Sequence, residues 1–135
     1  LGLGVGAVIC LLLVLHSIQG GALAFRPARV VADLDQKQAG EWLASHDPSP
    51  SKRILSVHSQ LPYYARGVHV PMPYATADLV ELYAETQGVD YAVVSARKLT
   101  SRPLLSAWID GEGIPDDWHE VYSDPSSAMM IYSVN

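Results

Sequence analysis

The 135-residue sequence carries nine basic and 14 acidic residues, which gives a formal net charge of −5. Its basic residues are scattered, whereas a phosphate-binding face needs clustered Lys and Arg, so the composition argues against nucleic acid as a partner. The single cysteine, Cys10, excludes an intrachain disulfide and a cysteine-based zinc site.

Residues 1–15 form an uncharged apolar run, LGLGVGAVICLLLVL. At about 1.5 Å per residue the run covers roughly 22 Å, which is short of the ~30 Å hydrocarbon core of a bilayer. We therefore expect residues 1–19 to be a transmembrane helix, the last of several, that begins upstream, and the chain to be a C-terminal fragment. A secretory signal peptide, which needs a Met and a basic segment before its apolar core, and a buried soluble helix are the alternatives.

Residues 20–32 are predicted to be a linker where the chain leaves the membrane. Phe25, Arg26 and Arg29 supply an aromatic ring and two cations of the kind found at a headgroup boundary. By the positive-inside tendency, the two arginines favour a cytoplasmic side for the rest of the chain.

The first predicted element of the water-soluble part is an amphipathic helix. Ala39, Trp42 and Leu43 lie at i, i+3 and i+4, which places them on one face. Asp33 or Asp35 suits its N-cap. The Asp-x-Asp pattern also matches the carboxylate pair with which many nucleotide-sugar transferases hold a divalent cation, but its position just before a helix favours the capping role.

Two short strands are predicted next, at residues 53–59 and 68–71, separated by a turn or short helical piece that ends at Gly67. His58 and His69 fall on these neighbouring strands, where they could approach each other as metal ligands. Because the sequence places no third ligand beside them, we favour half-buried strand histidines without a metal.

A second helix is predicted over residues 76–86, with Thr76 as its N-cap and Gly88 just past its end. Residues 89–95 predict a central strand, because an apolar run without alternation is typical of a strand covered on both faces. The helix's predicted apolar side consists of Ala77, Leu79, Val80, Leu82, Tyr83 and Ala84.

A third helix is predicted over residues 99–110, with Pro103 near its start. The segments 118–122 and 128–134 are expected to pair as a closing hairpin. The order of elements predicts an α/β domain over residues 33–135, with a small sheet of about four to five strands, covering helices and a C-terminal antiparallel hairpin, preceded by one partial transmembrane helix.

Tyr63, Tyr64 and Arg66 are the candidate substrate-binding residues. They follow the first strand, and open α/β sheets bind ligands at the carboxyl ends of their strands. A packing role for these side chains is the alternative. The sequence contains no phosphate-binding Gly-rich loop and no Gly-x-Ser-x-Gly elbow, and Asp116 and Asp117 are expected to lie in a solvated loop.

Several stretches of the chain together form a pattern found in one family of membrane enzymes. They follow a terminal apolar helix and are ILSVHS at 54–59, LPYYARG at 61–67, GVDYAVV at 88–94, Arg-Pro at 102–103 and MIY at 130–132. The arrangement resembles the C-terminal end of bacterial polytopic glycosyltransferases of the dolichyl-phosphate-mannose protein mannosyltransferase-like group, whose relatives include the lipid A aminoarabinose transferases. The resemblance covers nearly all of the chain.

Members of this group are GT-C integral membrane enzymes that transfer a sugar from a polyprenyl-phosphate carrier to an acceptor outside the membrane. The resemblance implies a multi-pass protein of the bacterial inner membrane, with an extracytoplasmic α/β domain, against the orientation that Arg26 and Arg29 favour. The family's catalytic acid lies in the first extracytoplasmic loop, to which no stretch here corresponds, so the resemblance implies no catalytic residue in this chain.

We expect no metal and no cofactor in this fragment; the question of a divalent cation in the full-length enzyme stays open. The expected partners are the lipid bilayer and, through the full-length enzyme, a polyprenyl-phosphate-linked sugar, with no nucleic acid. The alternative function is a single-pass membrane-anchored or secreted α/β module that binds a partner or a component of the cell envelope.

Overall fold

The fold is taken from a computed structural model, which describes residues 27–96 and 102–135. The predicted transmembrane helix, residues 1–19, and residues 20–26 of the predicted linker lie outside the described residues. Within the described residues, no helix is both long enough and apolar enough to cross a membrane. The chain divides into two compact units, Leu1–Ala32 and Asp33–Asn135, and the second holds the sheet.

Helices and strands alternate along the described chain. In order they are α1 Pro27–His46, β1 Arg53–Ser56, α2 Gln60–Tyr64, β2 Val68–Pro71, α3 Ala77–Gln87, β3 Tyr91–Ser95, α4 Pro103–Ile109, β4 Trp118–Asp124 and β5 Met129–Val134. Each predicted strand and helix of residues 33–135 has a counterpart here, including the short helical piece between β1 and β2. Residues 99–101 of the third predicted helix lie outside the described residues.

The five strands form one mixed sheet in the order β2-β1-β3-β5-β4. β1 runs parallel to β2 and β3, while β5 runs antiparallel to β3 and β4. This confirms the predicted α/β class, the central position of β3 and the closing hairpin at one edge of the sheet.

The sheet has a hydrophobic core on each face, because successive side chains of a strand point to opposite sides. On β3, Ala92 and Val94 belong to the core that α3 and α4 cover, while Val93 belongs to the other core. Ile54 and Leu55 of β1 divide between the two cores in the same way. Both faces of β3 are therefore buried, as its unbroken apolar sequence predicts.

Helix α1 begins earlier than the sequence pattern predicts. It starts at Pro27, so Asp33 and Asp35 lie inside the helix, and the prediction that one of them caps it is wrong. Proline has no N–H and a fixed φ, which suits the first helical position, and no other proline or glycine interrupts the chain before Gly40. The predicted burial of Ala39 and Leu43 is confirmed.

Helix α3 buries a narrower stripe than predicted. Val80 and Ala84 are buried, but Leu79 and Leu82 are 56% and 57% exposed, so their assignment to the apolar side is wrong. Thr76 lies at the N-cap position, although its side chain makes no capping hydrogen bond. Gly88 lies just past the end of the helix, as predicted, and its φ of 59° is the left-handed conformation that glycine adopts without strain.

Candidate functional site

The parallel strands β1, β2 and β3 end at the same edge of the sheet. The chain leaves β1 toward β2 on one side, and it leaves β3 toward the β4–β5 hairpin on the other side. Open α/β sheets bind ligands outside the carboxyl ends of their strands, where the connections diverge in this way. The diverging connections are those that leave β1 and β3, and the segment after β2 ends at the same edge. A site at this edge can therefore draw on the segments that follow β2 and β3.

A cavity of about 550 Å³ is formed by these two segments. Residues 72–77, which follow β2, line one part of it, and Arg102, Leu104 and Leu105, at the start of α4, line the other. We call this cavity the carboxyl-edge cleft. Its volume lies within the ~300–1,000 Å³ range of small-molecule pockets, and its described lining is mostly apolar, as such pockets are.

Arg102 is held at the cleft by two backbone carbonyl groups. Its Nη1 donates hydrogen bonds to the carbonyl oxygens of Met72, at 3.0 Å, and Pro73, at 2.9 Å. Its Cζ lies 5.6 Å from the centre of the Tyr74 ring, within the range of a cation–π contact. These contacts join the segment after β2 to the residue that precedes α4 and fix the position of the guanidinium group.

Among the described residues, no carboxylate forms an ion pair with Arg102. Among the described residues that line the cleft, Arg102 carries the only charge. In the described part of the chain the ion pair present is Lys37–Glu41, with 3.7 Å between nitrogen and oxygen, and Arg102 forms none. Backbone carbonyls orient a guanidinium without cancelling its charge, so the described lining of the cleft combines a mostly apolar surface with the fixed cation of Arg102.

The sequence-predicted candidates lie away from the carboxyl-edge cleft. Arg66 is exposed and precedes Gly67 and β2, and the N–H of Val68 donates to the carbonyl of Lys52, just before β1. Arg66 is therefore at the amino ends of the parallel strands, and its expected position at their carboxyl ends is wrong. Tyr63 is 77% exposed. A role for these residues in binding stays a prediction.

Tyr64 lies where α1 and α2 pack closely against each other, so at least its Cβ atom has a packing role. A Cβ atom added at Gly40 would lie 2.6 Å from the Tyr64 Cβ, so α1 and α2 approach closely at this point. The rings of Tyr63 and Tyr64 meet edge to face, with 5.3 Å between their centres. The pair thus combines a half-buried ring with an exposed one on the short helix α2.

The predicted metal-ligand candidates do not form a cluster in the described residues. The Nε2 atom of His69 lies 3.1 Å from the carbonyl oxygen of Ser56, so this nitrogen donates a hydrogen bond within the sheet. The Ser56 hydroxyl donates to the carbonyl of His58. Across the described ranges, no group of three or more His, Cys, Asp and Glu residues has an arrangement that could hold a metal ion.

A second cavity, of about 470 Å³, adjoins the carboxyl-edge cleft and shares Ala77 with it. Its charged lining is acidic and consists of Asp78, Glu81, Asp116 and Asp117. Asp116 is exposed and Asp117 is half-buried, so the predicted solvated loop is confirmed for the first and only partly for the second. The two adjoining cavities therefore have opposite charge.

Sequence reasoning does not single out Tyr74, and it names Arg102 only as part of the family resemblance. A usable signal is nevertheless present. Tyr74 comes three residues after the last residue of β2, and Arg102 lies between β3 and the proline that begins α4. Residues directly after parallel strands are the ones that reach the carboxyl edge of the sheet.

No protein-family model matches the chain, and comparisons with curated proteins and with solved structures find no significant match. Functional inference therefore depends on the sequence resemblance and on the geometry of the carboxyl-edge cleft.

Proposed function

We propose that this chain is the C-terminal part of a bacterial polytopic glycosyltransferase of the dolichyl-phosphate-mannose protein mannosyltransferase-like group. The full-length enzyme transfers a sugar from a polyprenyl-phosphate donor to an extracytoplasmic acceptor. Residues 1–19 are its last transmembrane helix, in the inner membrane. The α/β domain, residues 33–135, is a non-catalytic accessory domain on the extracytoplasmic side, and the catalytic acid lies upstream.

The observation that carries an accessory binding role is the carboxyl-edge cleft. It is a cavity of small-molecule size at the edge where open α/β sheets bind ligands, and the described residues of its lining are mostly apolar and include the cation of Arg102. A domain that helps an enzyme handle a lipid-linked substrate needs such a surface. We assign the domain to a sugar-transferring membrane enzyme because the chain resembles the mannosyltransferase-like group.

The reaction itself requires more than the α/β domain. Transfer from a lipid-linked donor needs an acid or base held at the membrane face beside the sugar, and several membrane helices are needed to build the cavity that holds it. We therefore expect the full-length protein to transfer sugar from a polyprenyl phosphate and the 135-residue chain to be inactive alone. Measured transfer by the 135-residue chain would contradict the accessory role.

Tyr63, Tyr64 and Arg66 remain candidates for a surface that faces the donor in the full-length enzyme. Exposed aromatic rings stack on sugars and an arginine binds phosphate, so these side chains help binding while the chemistry stays upstream. Alanine at all three positions should weaken transfer by the full-length enzyme without abolishing it. Wild-type turnover in the triple variant would remove them from the site.

A further inference from the structure

We propose that the carboxyl-edge cleft binds an amphiphile in which an apolar chain is joined to a phosphate group. The phosphate binds Arg102, and the chain lies along Leu104 and the other apolar residues of the lining that are not fully buried. The identity of the natural ligand rests on the proposed function, under which it is the lipid-linked donor or its polyprenyl-phosphate product. The chemistry of the ligand rests on the cleft alone.

The phosphate end of the ligand follows from the geometry of Arg102. A guanidinium has five N–H donors in a planar fork, and the bonds to the carbonyls of Met72 and Pro73 use two of them. Those bonds and the Tyr74 ring hold the group in place before a ligand arrives. Arginine in such a fixed position binds phosphate through charge-assisted hydrogen bonds, often two at a time.

The anionic character of the ligand follows from the charge balance of the cleft. The chain has a net charge of −5, yet the one charged side chain among the described residues that line the cleft is a cation without an ion pair. Attraction between unit charges is stronger beside a low-dielectric wall than in water, so an anion gains more at Arg102 than at an exposed arginine such as Arg66.

The apolar chain of the ligand follows from the rest of the lining. Met72 and Leu105 are almost completely buried and form the floor of the cleft, within the core on that face of the sheet. The apolar wall that a ligand can reach consists of half-buried and exposed residues, namely Pro73, Tyr74, Ala75, Ala77 and Leu104. A free phosphate or a sugar phosphate would leave this apolar wall uncovered, whereas an alkyl or prenyl chain would cover it and gain the free energy of apolar burial.

The test is a titration of the purified 135-residue chain, in dodecyl maltoside micelles, whose head groups carry no phosphate, with four probes: geranyl phosphate, geraniol, decyl phosphate and inorganic phosphate. Methyl NMR signals of Met72, Leu104 and Leu105 report occupancy of the cleft. We expect geranyl phosphate to shift these signals at concentrations at least about tenfold lower than geraniol or inorganic phosphate, because only the first covers both the wall and the charge. Equal affinity for geraniol or for inorganic phosphate would overturn the proposal.

Four variants separate binding from folding. Arg102→Gln should lower the affinity for geranyl phosphate about tenfold or more, the size expected for a lost charge-assisted hydrogen bond. Tyr74→Ala, at a side chain 76% exposed, tests the same site without disturbing the core and should lower the affinity by a smaller factor. Arg102→Lys keeps the charge and should fall between wild type and Arg102→Gln. Lys37→Gln, at an exposed cation of α1 that does not line the cleft, is the control and should bind as wild type does.

Unchanged affinity in both Arg102→Gln and Tyr74→Ala would show that the two residues only hold the segment after β2, and the proposal would fail. If decyl phosphate binds as tightly as geranyl phosphate, the cleft accepts phosphate amphiphiles in general, and membrane phospholipids become the expected ligands. If geranyl phosphate binds more tightly, the isoprenoid donor is the expected ligand. A full-length protein that transfers no sugar would refute the proposed function but leave this binding site intact. Sugar transfer by the full-length protein, with no binding of geranyl phosphate to the cleft, would support the proposed function and refute this binding site.

Discussion

Val93→Asp tests whether β3 is buried on both faces. Val93 is 4% exposed, pairs with Ile131 of β5 and belongs to the core that contains Leu43 and Leu61. Its replacement loses the burial of a valine side chain, about 1.5–3 kcal/mol, and buries a carboxyl group without a partner, about 1–3 kcal/mol. We therefore expect the free energy of unfolding to fall by about 3–5 kcal/mol, out of a total of about 5–15 kcal/mol for a domain of ordinary stability.

Urea unfolding followed by tryptophan fluorescence measures this loss, and Leu79→Asp is the matched control. Leu79 is 56% exposed on α3, so the same type of substitution there should change the free energy of unfolding by less than about 1 kcal/mol. The comparison is sharp because the sequence pattern assigns both residues to buried faces. A loss below about 1 kcal/mol in Val93→Asp, or an equal loss in the two variants, would refute the two-sided burial of β3.

Three further predictions concern α1 and the β4–β5 turn. Gly40→Ala should destabilise the domain by about 1–3 kcal/mol in urea unfolding, because the added Cβ would lie 2.8 Å from the Leu61 carbonyl oxygen. Alanine favours helices more than glycine does, so a stabilised variant would contradict this packing. Hydrogen bonds from Ser126 lower the pKa of Asp124 below its ordinary 3.8, so their stabilising effect is present above that value and is lost as the pH falls through the lowered pKa. Ser126→Ala should raise the pKa of Asp124 in a carboxyl NMR titration, and an unchanged value would refute the assigned cause. Asp33→Asn should leave divalent-ion binding in calorimetry unchanged, and a large loss would restore the metal interpretation.

Local sequence patterns predict the strands and the hairpin because each depends on a short apolar run between turn residues. The run at β3 lacks alternation, and only a strand covered on both faces can bury such a sequence. The closing hairpin follows from two apolar segments separated by Ser123–Ser127, a polar stretch with a proline. The order of the strands in the sheet could not be predicted in this way, because it depends on contacts between segments far apart in the chain.

The errors at the helices have a common physical origin. The sequence pattern assigns Asp33 and Asp35 as caps because they precede an apolar stripe, but the residues before them are also compatible with a helix, and Pro27 offers a better start. Leu79 and Leu82 fit a helical apolar face, yet the sheet beneath α3 covers only the stripe around Val80. Periodicity identifies a helix, whereas the width of its buried face is set by the surface it packs against.

The position of Arg66 shows the limit of the carboxyl-edge rule when it is applied to a sequence. A loop after a strand begins at the carboxyl edge, but α2 has only five residues, so the connection returns to the amino edge almost at once. Arg66 is therefore at the wrong end of the sheet for the rule to apply. Tyr74 and Arg102 line the cavity at the carboxyl edge, and the rule applies to them.

The arrangement of charge around Ala77 constrains how a ligand lies in the carboxyl-edge cleft. Ala77 lines both cavities, and the neighbouring one carries four carboxylate side chains while the cleft carries the arginine. An anion is attracted to Arg102 and repelled by Asp78 and Glu81, so a phosphate group gains most at the arginine end of the cleft. The apolar part of the ligand is neither attracted nor repelled by the carboxylates, and it lies against the apolar residues of the cleft. The opposite charges of the two adjoining cavities thus determine how a bound amphiphile is oriented, in addition to selecting a negatively charged head group.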